Sequence, residues 1–202
     1  GVDIYSHDAG IDVSGGESGD VRYDVQEESN MWLHLGCALA GFLTLRTGPA
    51  TLFIAKQYTF YRTFTWQLIL LYASLFDRFY LTKPLTSRPT NSEIYLIGVG
   101  FRGCPAHISE FMRRRLQTRD SSPFIPETTA RLMPAIGALR TFARNVYGQQ
   151  RDMLLEIVRL HHTYTAEQIT AGTRELKRQL IARWLMKHPV KRIEPAARVP
   201  SN

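Results

Sequence analysis

The sequence predicts an α/β fold in which a mostly parallel sheet is followed by a helical, basic region. Two observations indicate it. In the first hundred of the 202 residues, short apolar runs alternate with segments whose apolar residues recur at helical spacing. Beyond residue 104 only helical patterns remain. Hydrophobic residues make up 44% of the chain and charged residues 21%, which is enough apolar material for a buried core.

The first half is predicted to contain two β-α-β units. Strands separated by helices of this length form a mostly parallel sheet that helices cover on both faces. The last two strands are joined only by a loop, so they are predicted to pair antiparallel. The polar, glycine-rich stretch 12–24 is predicted to be a loop. The predicted strands are 2–6, 51–55, 78–82 and 93–99, and the predicted helices are 25–45 and 64–76.

The second half is predicted to be helical, and a linker is predicted at 120–126. The tail from residue 188 has three prolines and little apolar content, which favours disorder. Three regions are therefore predicted: a partial α/β domain (1–104), a helical basic region (105–187) and a disordered tail (188–202). The predicted helices are 107–117, 127–147, 149–162 and 165–187.

Charge is distributed unevenly along the chain. Residues 1–104 hold 8 Lys/Arg against 10 Asp/Glu, whereas residues 105–202 hold 17 against 8. A strongly basic half indicates a polyanionic partner, with nucleic acid first and a membrane surface second. Arg113–Arg115 and the basic cluster 177–192 could grip phosphates. A solvated, arginine-rich helical surface, or helices that dock on a neighbouring domain, explain the same pattern equally well.

Cysteine usage and hydropathy set the expected compartment. Cys37 and Cys104 lie far apart and form no paired motif, so neither a disulfide nor a metal site is predicted. No signal-peptide pattern is present, and the apolar run 31–45 is too short to span a bilayer. We expect an intracellular protein of cytoplasm or nucleus (host cell or virion if viral) without a membrane partner.

Lys56 is the most informative single residue. It ends an otherwise apolar strand, and in open α/β sheets the carboxyl ends of parallel strands open into the ligand crevice. Burial there would lower the pKa of the lysine and prepare it for proton transfer. For one such residue alone, a lysine that begins a loop and points into water is the simpler explanation.

Two carboxylates are predicted at matching strand edges. Asp8 ends the first strand, and Glu93 opens the last one, where an unpaired charge would be costly. If the three edges converge, Lys56 lies between them, and the pair holds the ammonium while the amine form abstracts a proton. A helix cap or loop anchor remains an alternative for Asp8.

Two stretches carry a family resemblance. TLFIAKQ (51–57) and FYLTKPLTSRPTNSEIYL (79–96) resemble the FtsJ/RrmJ-type ribose 2′-O-methyltransferases, above all the cap-specific mRNA enzymes of eukaryotes and viruses. The K-P-x-x-S-R-P-x-N-S-E spacing is highly specific, and the resemblance covers about residues 3–100. It implies the C-terminal half of a Rossmann-like, S-adenosylmethionine-dependent methyltransferase sheet.

The resemblance also implies roles for named residues. That family works with a Lys-Asp-Lys-Glu tetrad, in which Asp8 matches the aspartate, Lys56 the second lysine and Glu93 the glutamate. Lys56 would be the base or would stabilise the developing alkoxide, Glu93 would orient it, and Asp8 would face the methyl group. Asp8, Ala9 and Gly10 would contact S-adenosylmethionine. The candidate RNA contacts are Lys83, Ser87, Arg88, Asn91 and Ser92, although a hairpin loop of turn residues would look the same.

One part of the family pattern is not found. The family's first lysine and glycine-rich donor loop come before the aspartate strand, and we expect them upstream of Gly1, in the same polypeptide or in another capping or polymerase subunit. The glycine-rich run 15–19 follows that strand, so we do not assign it as the donor loop. S-adenosylmethionine binding is therefore expected to need upstream residues.

Methyl transfer to the ribose 2′-hydroxyl of cap-proximal nucleotides of mRNA is the leading functional hypothesis. A ribosomal or transfer RNA 2′-O-methyltransferase is a variant of it. A catalytically inactive RNA-binding or scaffold module that retains the fold is an alternative from another class. A basic structural protein of a viral or ribonucleoprotein particle, dominated by residues 105–202, is a third.

Overall fold

The computed structural model describes residues 1–11, 26–84, 87–126 and 129–188. The predicted loop 12–24 and nearly all of the predicted tail lie outside the described residues. The chain forms two compact units, Gly1–Arg151 and Asp152–Asn202. Within the described residues, no helix is long and apolar enough to cross a membrane.

Four strands and five α-helices make up the described chain. The strands are β1 (Ile4–His7), β2 (Gly48–Gln57), β3 (Phe76–Thr82) and β4 (Ile94–Phe101). The helices are α1 (Gln26–Thr44), α2 (Thr63–Ala73), α3 (Ala106–Thr118), α4 (Met133–Thr163) and α5 (Ala166–Lys187), and a short 3-10 helix, Ala130–Leu132, precedes α4.

The sheet has the strand order β1-β2-β4-β3. β1 pairs parallel with β2, and β4 pairs antiparallel with both β2 and β3. Three strands therefore run in one direction and β4 runs against them. The predicted α/β fold and the antiparallel pairing of the last two strands are confirmed. The sequence did not indicate that β4 lies between β2 and β3.

Helices cover only one face of the sheet within the described residues. Along β2, buried and half-exposed residues alternate, with Phe53 and Ala55 on the buried face and Ile54 and Lys56 on the other. The prediction that both faces are covered is wrong for this part of the chain. The crossovers β1-α1-β2 and β2-α2-β3 both join parallel strands and advance the same way along the sheet, and right-handed connections then place both helices on one side.

Phe42 of α1 lies at the centre of the core. Its ring is within 6.0 Å, between centroids, of Phe53 in β2, Tyr72 in α2, Phe76 in β3 and Phe101 in β4. This one side chain of α1 thus contacts α2 and three of the four strands. Burial of such rings is the dominant favourable contribution to folding of a sheet-and-helix unit.

The helical region after β4 begins inside the first unit, which differs from the predicted boundary at 104/105. Met112 of α3 is fully buried, and the buried Gln67 of α2 accepts from the backbone N–H groups of Phe124 and Ile125 and donates to the Ile125 carbonyl. Arg115 is also buried and lies 2.5 Å from Asp120. Of the predicted phosphate-gripping run, Arg115 is therefore a structural residue.

α4 is a single helix where the sequence predicted two. The predicted helices 127–147 and 149–162 are one helix, Met133–Thr163, with Gly148 in its interior. A glycine inside a helix costs about 1 kcal/mol relative to alanine, which favourable neighbours can offset. Pro134 is the second residue of α4, in the first turn, where its missing N–H is not needed.

In the second unit, α5 starts with a capping box. The Thr165 side chain accepts from the Gln168 N–H, and the Gln168 side chain accepts from the Thr165 N–H. Every side chain of α5 except the half-buried Ile169 is exposed, including Leu180 and Trp184. Its basic residues and most of its apolar ones thus face outward within this unit.

Replacement of Gly41 by alanine should destabilise the first unit. A Cβ at this α1 position would lie 2.7 Å from the Tyr5 ring and 3.1 Å from the Phe53 ring, so the helix would have to move away from the sheet. We expect a loss of about 1–3 kcal/mol in the free energy of unfolding, measured by urea denaturation. Gly36→Ala in the same helix is the control, because its Cβ would be 3.9 Å from Leu116. Equal effects of the two substitutions would contradict the packing.

Candidate active site

A lysine and an aspartate meet where β1 and β2 run side by side. The parallel register places His7 opposite Ala55, which brings the next residues, Asp8 and Lys56, together. The Lys56 Nζ is 2.9 Å from the Asp8 Oδ1. The lysine side chain is only 11% exposed, whereas the aspartate is 75% exposed. Lys56 was predicted to end its strand, but β2 continues through Gln57 because β4 extends the ladder on its other side.

The Lys56 ammonium keeps its proton more firmly than we predicted. Burial is the largest single influence and lowers the pKa of Lys56, but the hydrogen bonds and charges of Asp8 and Tyr58 together outweigh it and raise that pKa above its ordinary value. The predicted lowering of the Lys56 pKa is therefore wrong. At neutral pH this lysine is a cationic hydrogen-bond donor.

Two tyrosines that sequence reasoning missed adjoin Lys56. The Tyr58 ring centroid lies 5.4 Å from the Lys56 Nζ, a cation–π distance. Tyr95 of β4 is directly opposite Lys56 in the antiparallel register and so shares its face of the sheet. Strand alternation places Tyr95 on the same face as Glu93, two residues earlier, and this alternation was the sequence signal that could have identified Tyr95 as a site residue. The pairing register, which the sequence does not give, was needed to bring it to Lys56.

Glu93 interacts with Tyr95 rather than with Lys56. It lies immediately before β4 and is half-buried. Burial, followed by the negative charges of Glu93 and Asp8 and a hydrogen bond to Glu93, raises the pKa of the Tyr95 hydroxyl. No ion pair joins Lys56 and Glu93 among the described residues. The prediction that both carboxylates hold the Lys56 ammonium is therefore wrong. Asp8 pairs with Lys56, and Glu93 interacts with the neighbouring Tyr95.

The backbone of Gly10, two residues after Asp8, lies close to Tyr58 and Lys56. A Cβ added at Gly10 would lie 2.8 Å from the Tyr58 hydroxyl and 3.4 Å from the Lys56 Nζ. A side chain at position 10 would therefore collide with Tyr58, and glycine lets the backbone approach Tyr58 and the Lys56 ammonium closely. The Ala9 carbonyl lies 3.2 Å from the His34 ring. Asp8, Ala9 and Gly10, the predicted donor contacts, thus follow β1 at the edge that holds Lys56.

The loop before Glu93 is organised around a lysine. The half-buried Lys83 Nζ lies 2.5–2.9 Å from four oxygens, which belong to Ser87, Asn91 and Glu93. Burial lowers the pKa of Lys83, and the charge of Glu93 partly offsets this effect. The polar groups of three predicted RNA contacts, Lys83, Ser87 and Asn91, are therefore engaged with one another.

The other two predicted RNA contacts differ in exposure. The Ser92 side chain is buried, and its hydroxyl donates to the Gln26 side chain at 3.4 Å. Arg88 is exposed at the loop surface and forms no ion pair with any residue that the structure describes. Of the five residues, Arg88 has the charge and the exposure that a direct phosphate contact needs.

Comparison with known proteins assigns the chain to a family. The model of the FtsJ-like methyltransferases matches residues 1–101, half of the chain. The chain belongs to the FtsJ-like methyltransferase family. The recognition made from the two sequence stretches is confirmed, and the four-stranded sheet is consistent with part of a Rossmann-like fold.

Individual relatives of this methyltransferase chain come from viruses and vertebrates. It is 36% identical over 125 residues to the probable methyltransferase EP424R of African swine fever virus (strain Badajoz 1971 Vero-adapted), covering 61% of this chain and 28% of that protein. It is 37% identical over 102 residues to the cap-specific mRNA (nucleoside-2′-O-)-methyltransferase 1 of Xenopus laevis, covering 50% of this chain and 11% of that protein. The chain thus spans less than a third of the relatives it matches.

His7 should make the stability of this methyltransferase chain depend on pH. Burial, followed by the nearby His34 and Lys56, lowers its pKa from 6.5 to about 4, and neither ring nitrogen has a hydrogen-bond partner. Above pH 6.5 the ring is neutral in both states and stability is complete. As the pH falls toward 4 the unfolded chain takes up the proton first, so stability is lost across this window.

We therefore expect the melting temperature to fall between pH 6.5 and pH 4, and to fall less in His7→Phe. Some pH dependence should remain, because burial also lowers the pKa of His34. His107→Phe, at an exposed position of α3, serves as the control and should follow the wild type. If His7→Phe also followed the wild type at every pH, His7 would not be the titrating group.

Proposed function

We propose that this chain forms the catalytic wall of an S-adenosylmethionine-dependent RNA 2′-O-methyltransferase that acts on cap-proximal nucleotides of mRNA. The ion pair of Lys56 and Asp8 on adjacent parallel strands is the observation that carries the proposal. The similarity to cap-specific mRNA (nucleoside-2′-O-)-methyltransferase 1 supports the choice of substrate. A 2′-hydroxyl acceptor restricts the substrate to RNA.

Lys56 acts on the acceptor oxygen as a cation. A ribose hydroxyl is a poor nucleophile until its oxygen acquires negative charge, and a fixed, poorly hydrated ammonium stabilises that charge. Because Asp8 and Tyr58 raise the pKa of Lys56, the lysine donates a hydrogen bond to the developing alkoxide rather than removing the proton as a free amine. The hydroxyl proton leaves to solvent water as the oxygen bonds to the methyl group. Of the two roles that the family resemblance implies, the structure favours electrostatic stabilisation.

The donor contributes the activated methyl group when it is bound, and the protein contributes alignment. Asp8, Ala9 and Gly10 would contact it at the edge of β1, where glycine at position 10 brings the backbone close to Tyr58 and Lys56. We expect further residues, in the same polypeptide or in a capping or polymerase subunit, to bind the rest of it. Micromolar binding of S-adenosylmethionine by the 202 residues alone, measured by calorimetry, would overturn this expectation.

Glu93 and the loop 83–92 serve the RNA side of the site. Glu93 holds Tyr95 on the face of the sheet that Lys56 occupies. Lys83, Ser87, Asn91 and Ser92 give the loop its shape, and Arg88 contacts a phosphate. The protein works inside the cell, where capped mRNA is made and used.

Substitution of Lys56 by alanine should abolish most methyl transfer. The assay measures transfer of a labelled methyl group from S-adenosylmethionine to capped RNA by the natural polypeptide that carries this sequence. Loss of one preorganised donor to a developing oxyanion costs about 10²–10³-fold in kcat. The paired substrate has a 2′-deoxyribose at the cap-proximal nucleotide and should not be methylated. Methylation of that substrate, or an unchanged rate in Lys56→Ala, would refute the mechanism.

Substitution of Arg88 by alanine should weaken RNA binding without changing the fold. Removal of one phosphate contact is expected to lower the slope of log Kd against log salt by about 0.7–1, measured by fluorescence anisotropy with a capped oligonucleotide. Arg102→Ala is the matched control, since this exposed arginine lies at the opposite end of β4 and pairs with Asp77. An equal change of slope in both variants would show that the contribution of Arg88 is not local.

A further inference from the structure

Three polar residues form a buried stripe on α1. Glu27, Asn30 and His34 are spaced by three and four positions, which places them on one face of the helix. Their exposed fractions are 6%, 1% and 6%. We call them the α1 polar stripe. Buried polar side chains lower stability unless they are hydrogen-bonded, so their partners indicate why they are there.

His34 joins the two segments that carry the ion pair. Its Nε2 lies 3.2 Å from the carbonyl oxygen of Ala9, the residue after Asp8. Its Nδ1 lies 3.1 Å from the Oε1 of Gln57, the residue after Lys56, and the Gln57 amide nitrogen donates to the Thr59 carbonyl. Both partners are carbonyl oxygens that only accept, so a neutral ring, which has one N–H, donates to one of them at a time. One imidazole ring thus ties together the backbone beyond Asp8 and the side chain beyond Lys56.

The other two residues of the stripe hold the same two segments further along. The Asn30 Oδ1 accepts from the Ile11 N–H at 2.6 Å, three residues beyond Asp8. The Glu27 carboxylate accepts from the N–H groups of Tyr61 and Arg62, each at 2.9 Å, which lie five and six residues beyond Lys56. All three members therefore act on the chain that follows β1 or β2.

Tyr58 adds a link between His34 and the ammonium. Its ring stacks on the His34 ring, with centroids 6.0 Å apart and an interplanar angle of 21°, and it also lies beside the Lys56 Nζ. Asp8 itself is mostly exposed and has little packing of its own to fix it. Its position over Lys56 depends on the anchored Ala9 and on the ring that holds it.

We propose that His34 is a positioning residue, which holds the Asp8 carboxylate against the Lys56 ammonium by fixing Ala9 and Gln57. The consequence for catalysis rests on the proposed function. The consequence for the ion pair does not, because it concerns only residues of this chain. Loss of the hold should separate Asp8 from Lys56 and remove one influence that raises the lysine pKa.

Two substitutions separate the contacts of His34 while keeping a polar side chain in the buried site. Glutamine places an amide near the position of Nε2 and retains the Ala9 contact, whereas asparagine reaches only the position of Nδ1 and retains the Gln57 contact. Gln67→Leu is the matched control, since Gln67 is a fully buried residue of α2 that also bonds to the backbone of another segment. It should lower stability without affecting the ion pair.

The first measurement is an NMR titration of the Lys56 side chain in the folded 202-residue chain. We expect the pKa of Lys56 to fall below its ordinary value of 10.5 in His34→Asn and to stay raised in His34→Gln and Gln67→Leu. An unchanged pKa in a folded His34→Asn variant would overturn the proposal, and so would an equal fall in Gln67→Leu. If His34→Asn does not fold, a fall of the Lys56 pKa below 10.5 in His34→Gln would overturn the proposal.

The second measurement is methyl transfer by the natural polypeptide that carries this sequence. Misplacement of a catalytic group by about 1 Å costs roughly 10²-fold in rate, so we expect kcat to fall by about 10- to 100-fold in His34→Asn. The KM for RNA should be unchanged, and His34→Gln should recover most of the rate. If the wild type transfers no methyl group, the proposed function fails, and the titration still decides the role of His34. Equal losses of kcat in His34→Gln and His34→Asn would overturn the positioning role.

Discussion

An ammonium group held at the edge of an apolar sheet is the constraint on which the site depends. Lys56 is almost covered, and a covered charge is tolerated only with a partner close by. Asp8 is that partner because β1 and β2 are parallel and in a register that brings their ends together. The crossover helix α1 makes this parallel pairing possible, and the same helix carries the side chains that fix the chain beyond both strands.

The electrostatic character of Lys56 follows from this arrangement. Burial favours the neutral amine, whereas the adjoining carboxylate and phenol favour the cation, and the cation prevails. A sheet edge that keeps a lysine charged is suited to stabilise negative charge on a neighbouring oxygen. Glu93 and Tyr95 lie on the same face at the β4 side of Lys56, and Asp8 lies at its β1 side. Acidic and phenolic groups therefore border the lysine on both strands that pair with β2.

Hydrophobic periodicity and the residues at strand ends predicted much of the fold and the approach of Asp8 to Lys56. They did not predict the pairing register of the strands or the packing of side chains. The β1-α1-β2 unit, the antiparallel last strand and the approach of Asp8 to Lys56 were predictable, because apolar runs and parallel strand ends leave clear signals. Tyr95 was missed because its position depends on the β2–β4 register. His34 was not predicted as a site residue, since its partners are distant in sequence. The direction of the Lys56 pKa shift was wrong because burial alone was weighed.

The antiparallel course of β4 has a spatial consequence. Because this strand runs against its neighbours, it brings its first residue, rather than its last, to the edge where β1 and β2 end. The segment that displays Arg88 therefore leads directly into Glu93, and the Lys83 ammonium ties both parts of it by bonding to Ser87, Asn91 and the Glu93 carbonyl. A ligand that contacts Arg88 would therefore lie within one short, hydrogen-bonded segment of Glu93 and of the edge that holds Lys56.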